Sequence, residues 1–243
     1  MKTLSVNSQC FYAQMCIRNL IVGIFFVLTP FLVQAQTPQD MISTRRDYKK
    51  TVKENPARQM IALQAGLPGA LFDLRYAGRN NFMKRRMYPR HTGITFMRRD
   101  AVAALVQIQK DLRAQGLGLK VFDAYRPWSV TKKFWDLVQD ERYVARPTNG
   151  SNHNRGTAVD LTLIELKTGR ELNMGTGFDN FTDTAHHSFK NLPLDVLANR
   201  ELLKTVMERH GFVALETEWW HYTFSTGLKM EVLDIPFKKL KRR

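Results

Sequence analysis

The spacing of apolar residues along the chain predicts three helices. In residues 100–115 the apolar positions recur every three or four residues and therefore share one helix face. These positions are Ala101, Leu105, Ile108 and Leu112. Asp100 is placed to cap the start of this helix, and Gly116 to end it. Residues 129–138 and 199–210 have patterns of the same kind and predict two further helices.

Three other stretches predict β-strands. Residues 119–122 predict a short buried strand, and residues 212–224 are rich in aromatic and β-branched side chains, enough for one or two strands. Residues 158–163 alternate, with one face made of Val159, Leu161 and Leu163. The predicted helices and strands do not alternate as repeated βαβ units. The sequence therefore predicts an α+β fold, a single compact domain with a central, mainly antiparallel sheet flanked by helices.

The first 35 residues have the pattern of a secretory signal peptide. An uncharged, almost wholly apolar run at 20–33 follows Arg18. Val33 and Ala35 are compact residues at the −3 and −1 positions of a cleavage site after Ala35. A membrane anchor is the alternative, but this run is shorter than the roughly 18–20 residues that a span needs. We expect cleavage of residues 1–35 and an exported, periplasmic protein. Met15 remains open as an alternative start to Met1.

The rest of the chain is expected to form one domain, since no repeat or linker divides it. Residues 36–60 are polar and predict a loosely packed N-terminal lead-in, and residues 61–243 predict the domain itself. The 243 residues are 44% hydrophobic and 24% charged, a balance that excludes a disordered or fibrous protein.

The chain is strongly basic, with a formal net charge of +15. Its cations are spread through clusters such as residues 84–86 and 237–243. Because an exported protein does not meet nucleic acid, we interpret this charge as a solvated surface, with attraction to an anionic envelope as the alternative. We expect no nucleic-acid partner and no stable membrane insertion after signal cleavage. The oligomeric state is not predicted.

Reactive side chains are concentrated in three segments, residues 123–128, 151–160 and 218–221. The only cysteines, Cys10 and Cys16, precede all of them, so a cysteine-based zinc site and a disulfide framework are excluded there. Any metal in this region must be held by histidine or carboxylate side chains.

His153, Asp160 and His221 form a set of two imidazoles and one carboxylate. Zinc accepts these ligands readily, and a catalytic site keeps a fourth position for water. Gly156 allows a tight turn, so that His153 can fold back toward Asp160 on the strand. Glu218 would supply the carboxylate base that a metal hydrolase needs. We therefore expect one Zn²⁺ per chain, bound on the sheet.

One geometric difficulty attends this site. Glu218 and His221 are three residues apart, which places them on opposite faces of a regular strand. They can share a site only if Glu218 precedes the regular strand or a bulge intervenes. Trp219 and Trp220, which lie between them, are interpreted as core residues.

The motifs of these segments resemble a known family. The pattern S-x-H-x-x-G-x-A-x-D at 151–160, with D-x-Y-R-P upstream and E-x-W-H downstream, resembles the zinc-dependent D-alanyl-D-alanine dipeptidases of the VanX-like type. Similar segments recur at residues 73–77, 80–82, 174–179 and 185–187. The resemblance extends over roughly residues 61–224.

The resemblance implies zinc held by His153, Asp160 and His221, with Glu218 as general base and later as general acid. Zinc lowers the pKa of bound water toward ~7, so that Glu218 can take its proton as the water attacks the peptide carbonyl. The reaction implied is hydrolysis of the D-Ala-D-Ala dipeptide.

The resemblance also implies three roles toward the substrate. Arg126 would stabilise the oxyanion of the tetrahedral intermediate. Asp179 would bind the free amino group of the substrate, and Ser151 would contact the substrate. His186 and His187 recur in the family but are interpreted as structural.

Two other functions remain open. A D,D-carboxypeptidase that trims terminal D-Ala from peptidoglycan stem peptides would use a similar zinc set, but it would need an open groove where Asp179 stands. A zinc-containing cell-wall-binding domain without catalysis is the non-enzymatic alternative, and the intact Glu218 and Arg126 argue against it.

Overall fold

The structure is a computed structural model that describes residues 41–241, so the predicted signal peptide lies outside the described residues. The strands of the described part are β1 Ile42–Ser43, β2 Met60–Ala62, β3 Leu71–Phe72, β4 Phe96–Arg98, β5 Leu117–Asp123, β6 Ala158–Glu165, β7 Phe212–Leu215, β8 Glu218–Phe224 and β9 Val232–Leu233. Its α-helices are α1 Arg45–Glu54, α2 Leu63–Gly66, α3 Arg99–Arg113, α4 Trp128–Trp135, α5 Asn152–Arg155, α6 Leu194–Arg209 and α7 Phe237–Lys241. None of these helices is both long and apolar enough to cross a membrane.

A five-stranded sheet in the order β3-β5-β6-β8-β7 forms the centre of the fold. Only the β3–β5 pair is parallel, while β5–β6, β6–β8 and β7–β8 are antiparallel. Helices α3 and α6 pack against this sheet, and two-stranded pairs, β1–β9 and β2–β4, lie outside it. The prediction of an α+β fold with a mainly antiparallel central sheet is confirmed.

The predicted apolar face of α3 is confirmed, because all four of its residues are fully buried in the main core. The prediction of Asp100 as its cap is wrong. The helix begins at Arg99, so Asp100 lies inside its first turn, where a carboxylate instead favours the positive end of the helix dipole. Helix α4 ends at Trp135, three residues before the predicted end.

Helix α6 begins at Leu194, five residues before the predicted start at 199. Its first turn follows Pro193 and combines an exposed Leu194, at 84%, with a buried Val196. Apolar side chains in this turn therefore lie on both the exposed and the buried side, and do not form the single apolar face that predicts a helix.

Strand β6 has the predicted alternation, but both of its faces are buried. Val159, Leu161 and Leu163 contribute to the main core, which the sheet shares with α3 and α6. Asp160, on the opposite face, is also buried. A buried carboxylate in the central strand of a sheet needs partners, and these lie in the site described below.

The lead-in has more regular structure in its described part than the sequence predicts. Helix α1 opens with a capping box between Thr44 and Asp47 and contains no buried residue. Thr51 donates a hydrogen bond to Glu231 at 2.9 Å, and β1 pairs with β9, so this segment is joined to the C-terminal part of the described chain.

Candidate metal centre and active site

Two neighbouring strands and a short helix bring three predicted ligands together. Asp160 in β6 and His221 in β8 stand directly opposite each other in the antiparallel register. His153 lies in α5, the helical turn that precedes β6. Their ligand atoms all lie within 4.8 Å of one another.

The local sequence of α5 fixes the position of His153. Ser151 caps the turn by accepting a hydrogen bond from the His153 amide, and Asn154 accepts one from the Ser151 amide. Gly156 ends the turn with a left-handed φ of 72°, and an added Cβ there would lie 2.5 Å from Met60. Glycine is the residue that tolerates both conditions, so the tight turn expected at this position is present.

The three candidate ligands have the separations and orientation that a small cation requires. His153 Nε2 lies 3.2 Å from His221 Nδ1 and 3.4 Å from Asp160 Oδ2, and His221 Nδ1 lies 3.0 Å from Asp160 Oδ1. Ligands at ~2.0–2.2 Å around tetrahedral zinc are separated by about 3.3 Å. The donor set therefore fits zinc.

The second nitrogen of each imidazole is held by another group. His153 Nδ1 donates to the Ala124 carbonyl at 2.6 Å, which leaves the Nε2 lone pair facing the site. His221 Nε2 lies 3.3 Å from Thr223 Oγ1. Burial lowers the pKa of His221, although its hydrogen bond with Asp160 opposes this shift, so the ring tends to be neutral as a ligand must be. Such partners orient metal-binding histidines.

The charges of the pocket also favour a cation. Its wall carries the carboxyl groups of Glu141, Asp160, Asp179 and Glu218 and the guanidinium groups of Arg126 and Arg142. Burial opposes the ionised form of Asp160, but His153 and His221 hold its pKa well below the usual range. A bound divalent cation would offset this excess of carboxylates.

Glu218 enters the same pocket because the β7–β8 pair is irregular. Ala214 pairs with Tyr222, whereas the next residue, Leu215, pairs with Glu218, so residues 219–221 lie opposite no residue of β7. Glu218 Oε2 consequently lies 3.8 Å from His221 Nδ1. Of the arrangements that the sequence left open, the structure has an irregular register after Glu218, which is the first residue of β8.

The surroundings of Glu218 strengthen its affinity for a proton. The side chain is buried, and burial together with the nearby carboxylates of Asp160 and Asp179 raises its pKa well above the usual range. Trp219 and Trp220 are buried in the core as the sequence predicts, and Trp220 also lines the pocket.

Arg126 lies at the turn between β5 and α4 with its guanidinium held in place. Asp123 accepts hydrogen bonds from Nε at 3.0 Å and pairs with Nη2 at 2.9 Å, while Tyr88 donates to the other Asp123 oxygen at 2.5 Å. The same Nη2 lies 3.6 Å from Asp160 Oδ2. The aromatic rings of Tyr76 and Phe134 flank the guanidinium at 5.1 and 4.8 Å. These partners keep the guanidinium in one position, so its positive charge is fixed beside the candidate ligands.

Asp179 lies in the same pocket, on the loop that precedes α6. Its carboxylate accepts a hydrogen bond from the Tyr76 hydroxyl at 2.9 Å and one from the Phe82 amide at 3.1 Å. Burial raises its pKa to about 7 despite these two bonds. A cation that enters the pocket would strongly stabilise the ionised form of this carboxylate.

The pocket is small and collects every residue that the sequence analysis placed in the site. Its cavity volume is about 210 Å³, below the ~300–1,000 Å³ of pockets for drug-sized ligands. Ser151 lines it too, although its hydroxyl is already engaged as the α5 cap. Phe82, Phe134 and Phe181 contribute an apolar wall.

Sequence reasoning missed the residues that hold the site residues in place. Tyr76 and Phe82 occur in segments that resemble the family, but no role was assigned to them. Asp123 begins the D-x-Y-R-P motif, and its spacing of three from Arg126 was the available signal. Tyr88 is 35 positions from Asp123, and no local pattern indicates that contact.

His186 and His187 do not line the pocket. His186 Nε2 lies 3.4 Å from the hydroxyl of Tyr143, a pocket residue. Burial lowers the pKa of His187 to about 4, which leaves it neutral.

A family model and the curated relatives indicate the same family. A family model described as D-ala-D-ala dipeptidase (Peptidase_M15) matches residues 56–238. The D-alanyl-D-alanine dipeptidase of Escherichia coli K12 is 35% identical over 179 residues, 74% of this chain and 91% of that protein. The D-alanyl-D-alanine dipeptidase of Enterococcus faecalis is 33% identical over 174 residues, which are 64% of this chain and 86% of that protein. A solved zinc complex of a vancomycin-resistance D,D-pentapeptidase has a TM-score of 0.35 at 18% identity, over 55% of this chain and 75% of that one.

Proposed function

Because the chain belongs to the D-alanyl-D-alanine dipeptidase family of peptidases, we propose that it is a zinc metallopeptidase that hydrolyses the free dipeptide D-Ala-D-Ala. The observation that carries this proposal is the grouping of His153, Asp160, His221, Glu218 and Asp179 around one small cavity. Three of these residues form a metal-binding set, one is a proton acceptor, and one is an acid able to receive a cationic group.

His153, Asp160 and His221 would hold the zinc ion. When bound, zinc polarises a carbonyl oxygen and makes water acidic enough to react at neutral pH. The remaining chemistry belongs to the side chains of the chain itself.

Glu218 is the group that moves the proton. Its raised pKa allows it to accept a proton from the attacking water and to return that proton to the leaving amine. Arg126, fixed by Asp123, presents its positive charge where the carbonyl oxygen becomes negative, at no cost of reorganisation during the reaction.

Asp179 supports a dipeptide over a longer peptide as the substrate. An ammonium group placed beside this carboxylate forms a charge-assisted hydrogen bond and favours its ionised form. A stem peptide has an amide at that position, which would leave the carboxylate without a cation. The site therefore suits a dipeptidase better than the alternative D,D-carboxypeptidase.

The free amino group of the substrate tests this proposal. N-acetylated D-Ala-D-Ala should be hydrolysed roughly 10²-fold more slowly than the free dipeptide, because about 3 kcal/mol of binding is lost when the carboxylate stays unpaired. Asp179→Asn should slow hydrolysis of the free dipeptide much more than hydrolysis of the acetylated one. The ratio of the two rates should therefore be smaller in this variant than in the wild type. Rates of hydrolysis for both substrates are compared with wild type and variant.

Asp183→Asn is the matched control, since Asp183 lies in the same loop with its side chain 83% exposed. This variant should keep the wild-type ratio of the two rates. Equal rates on both substrates in the wild type would refute a role for Asp179 in binding the amine.

The compartment is a separate part of the proposal. The pattern of residues 1–35 supports export to the periplasm and a mature chain that begins near Gln36. N-terminal sequencing of the protein isolated from its native cells should therefore give a sequence that starts there. Recovery of residues 1–35 on the native protein would contradict export with cleavage.

A further inference from the structure

The loop that carries Asp179 has little regular structure of its own. It leads from the end of the β6 region to α6, and its only regular element is a 3₁₀ turn at Asp183–Ala185. Asp179 itself has a left-handed φ of 63°. Aspartate adopts this conformation more readily than most residues with a side chain, and the position of its carboxylate follows the path of this loop.

One buried arginine joins the two ends of the loop. Arg200 in α6 is 4% exposed, and its Nε donates to the carbonyl of Met174 at 2.8 Å. Its Nη2 donates to the carbonyl of Thr184 at 3.0 Å, and its Nη1 to that of His186 at 3.2 Å. Met174 precedes Asp179, while Thr184 and His186 follow it. A single guanidinium thus closes the base of the loop that presents the carboxylate.

Other contacts from α6 reinforce this closure on the same side. Asn199 donates a hydrogen bond to the Asn173 carbonyl at 3.0 Å. Gly175 has a φ of 80°, and a Cβ there would lie 2.8 Å from a methyl group of Val196. The loop is therefore seated directly on α6, with no room for a side chain at its start.

We propose that Arg200 is a positioning residue for substrate binding, which acts by holding the two ends of the 174–186 loop so that Asp179 meets the substrate's amino group. This inference rests on the proposed role of Asp179. Three carbonyls in different directions match the planar fork of a guanidinium, whereas the ammonium of lysine is a point charge on a flexible stem. In the described part of the chain, Arg200 donates its hydrogen bonds to loop carbonyls and not to the metal-binding residues or Glu218, so its loss should affect binding of the amine and not the chemistry.

Arg200→Lys tests the inference. The KM for free D-Ala-D-Ala should rise about tenfold or more, because a misplaced binding group costs up to about 10²-fold. The kcat should stay within roughly twofold of wild type, the pattern expected when ground-state and transition-state binding are lost equally. Hydrolysis of N-acetyl-D-Ala-D-Ala and the zinc content should not change. Arg209→Lys, an exposed arginine of the same helix, is the control and should leave KM unaltered.

The result separates this inference from the function on which it rests. If the wild type does not distinguish the free from the acetylated dipeptide, the proposed role of Asp179 fails. If the wild type does distinguish them and Arg200→Lys leaves KM unchanged, or lowers turnover of both substrates alike, only the positioning role fails. Should Arg200→Lys not fold, Arg200→Gln takes its place. Failure of both variants to yield zinc-loaded protein would assign Arg200 to the stability of the whole domain and overturn the inference.

Discussion

Glu218→Gln is expected to lower kcat by roughly 10²–10⁴-fold, the usual contribution of a general base. The amide keeps the size and shape of the carboxyl group, so the pocket and the nearby His221 should stay as they are. It cannot accept a proton, however, and the attacking water is then left without a base. The measurement is the turnover of D-Ala-D-Ala together with the zinc content of the same preparation, which should equal that of the wild type.

Glu216→Gln provides the control for this variant. Glu216 lies two residues earlier at the same hairpin, is exposed, and accepts a hydrogen bond from the Ser188 amide. Its replacement should leave turnover close to the wild-type value. If Glu218→Gln loses zinc along with activity, Glu218 holds the metal or the fold and is not the base.

Alanine at His153, Asp160 or His221 should abolish turnover and remove most of the zinc. Each variant leaves two ligands of three, and two are too few to hold zinc in a catalytic site. Removing Asp160 also removes the carboxylate that lies 3.4 Å from His153 Nε2 and 3.0 Å from His221 Nδ1. Metal analysis of the three purified variants, beside the wild type, measures the effect.

His210→Ala is a matched control because His210 also pairs with an aspartate, at 2.8 Å from Asp111, but outside the pocket. It should retain one zinc per chain. Full zinc occupancy in any of the three ligand variants would remove that residue from the set of ligands.

The sequence predicted the features that depend on local spacing. The apolar face of α3 repeats at helical intervals, and Gly156 had to be a glycine for the chain to turn at the end of α5. The ligand residues could be identified because their chemical types are uncommon in combination. The helix face and the turn are signals that lie within a few residues along the chain, whereas His221 lies 61 positions after Asp160 and was assigned to the set by its chemical type.

Several features that depend on contacts between distant segments were not predicted. The irregularity that brings Glu218 beside His221 arises from the register of β7 with β8, which side-chain periodicity does not record. Tyr76 holds Asp179 across 103 positions, and Arg200 reaches its three carbonyls from a helix whose pattern indicates only a core face. The start of α6 was also missed, because the apolar residues of its first turn, exposed Leu194 and buried Val196, do not share one helix face.

The central claim is that this chain cleaves a free dipeptide, and the length of the substrate tests it most directly. Purified protein supplied with zinc is given free D-Ala-D-Ala and, separately, a pentapeptide stem that ends in D-Ala-D-Ala, and the release of D-Ala is measured as kcat/KM. We expect the free dipeptide to be preferred by roughly 10²-fold or more, since only it brings an ammonium group to Asp179. Equal or faster release of D-Ala from the stem peptide would contradict the dipeptidase and favour the D,D-carboxypeptidase.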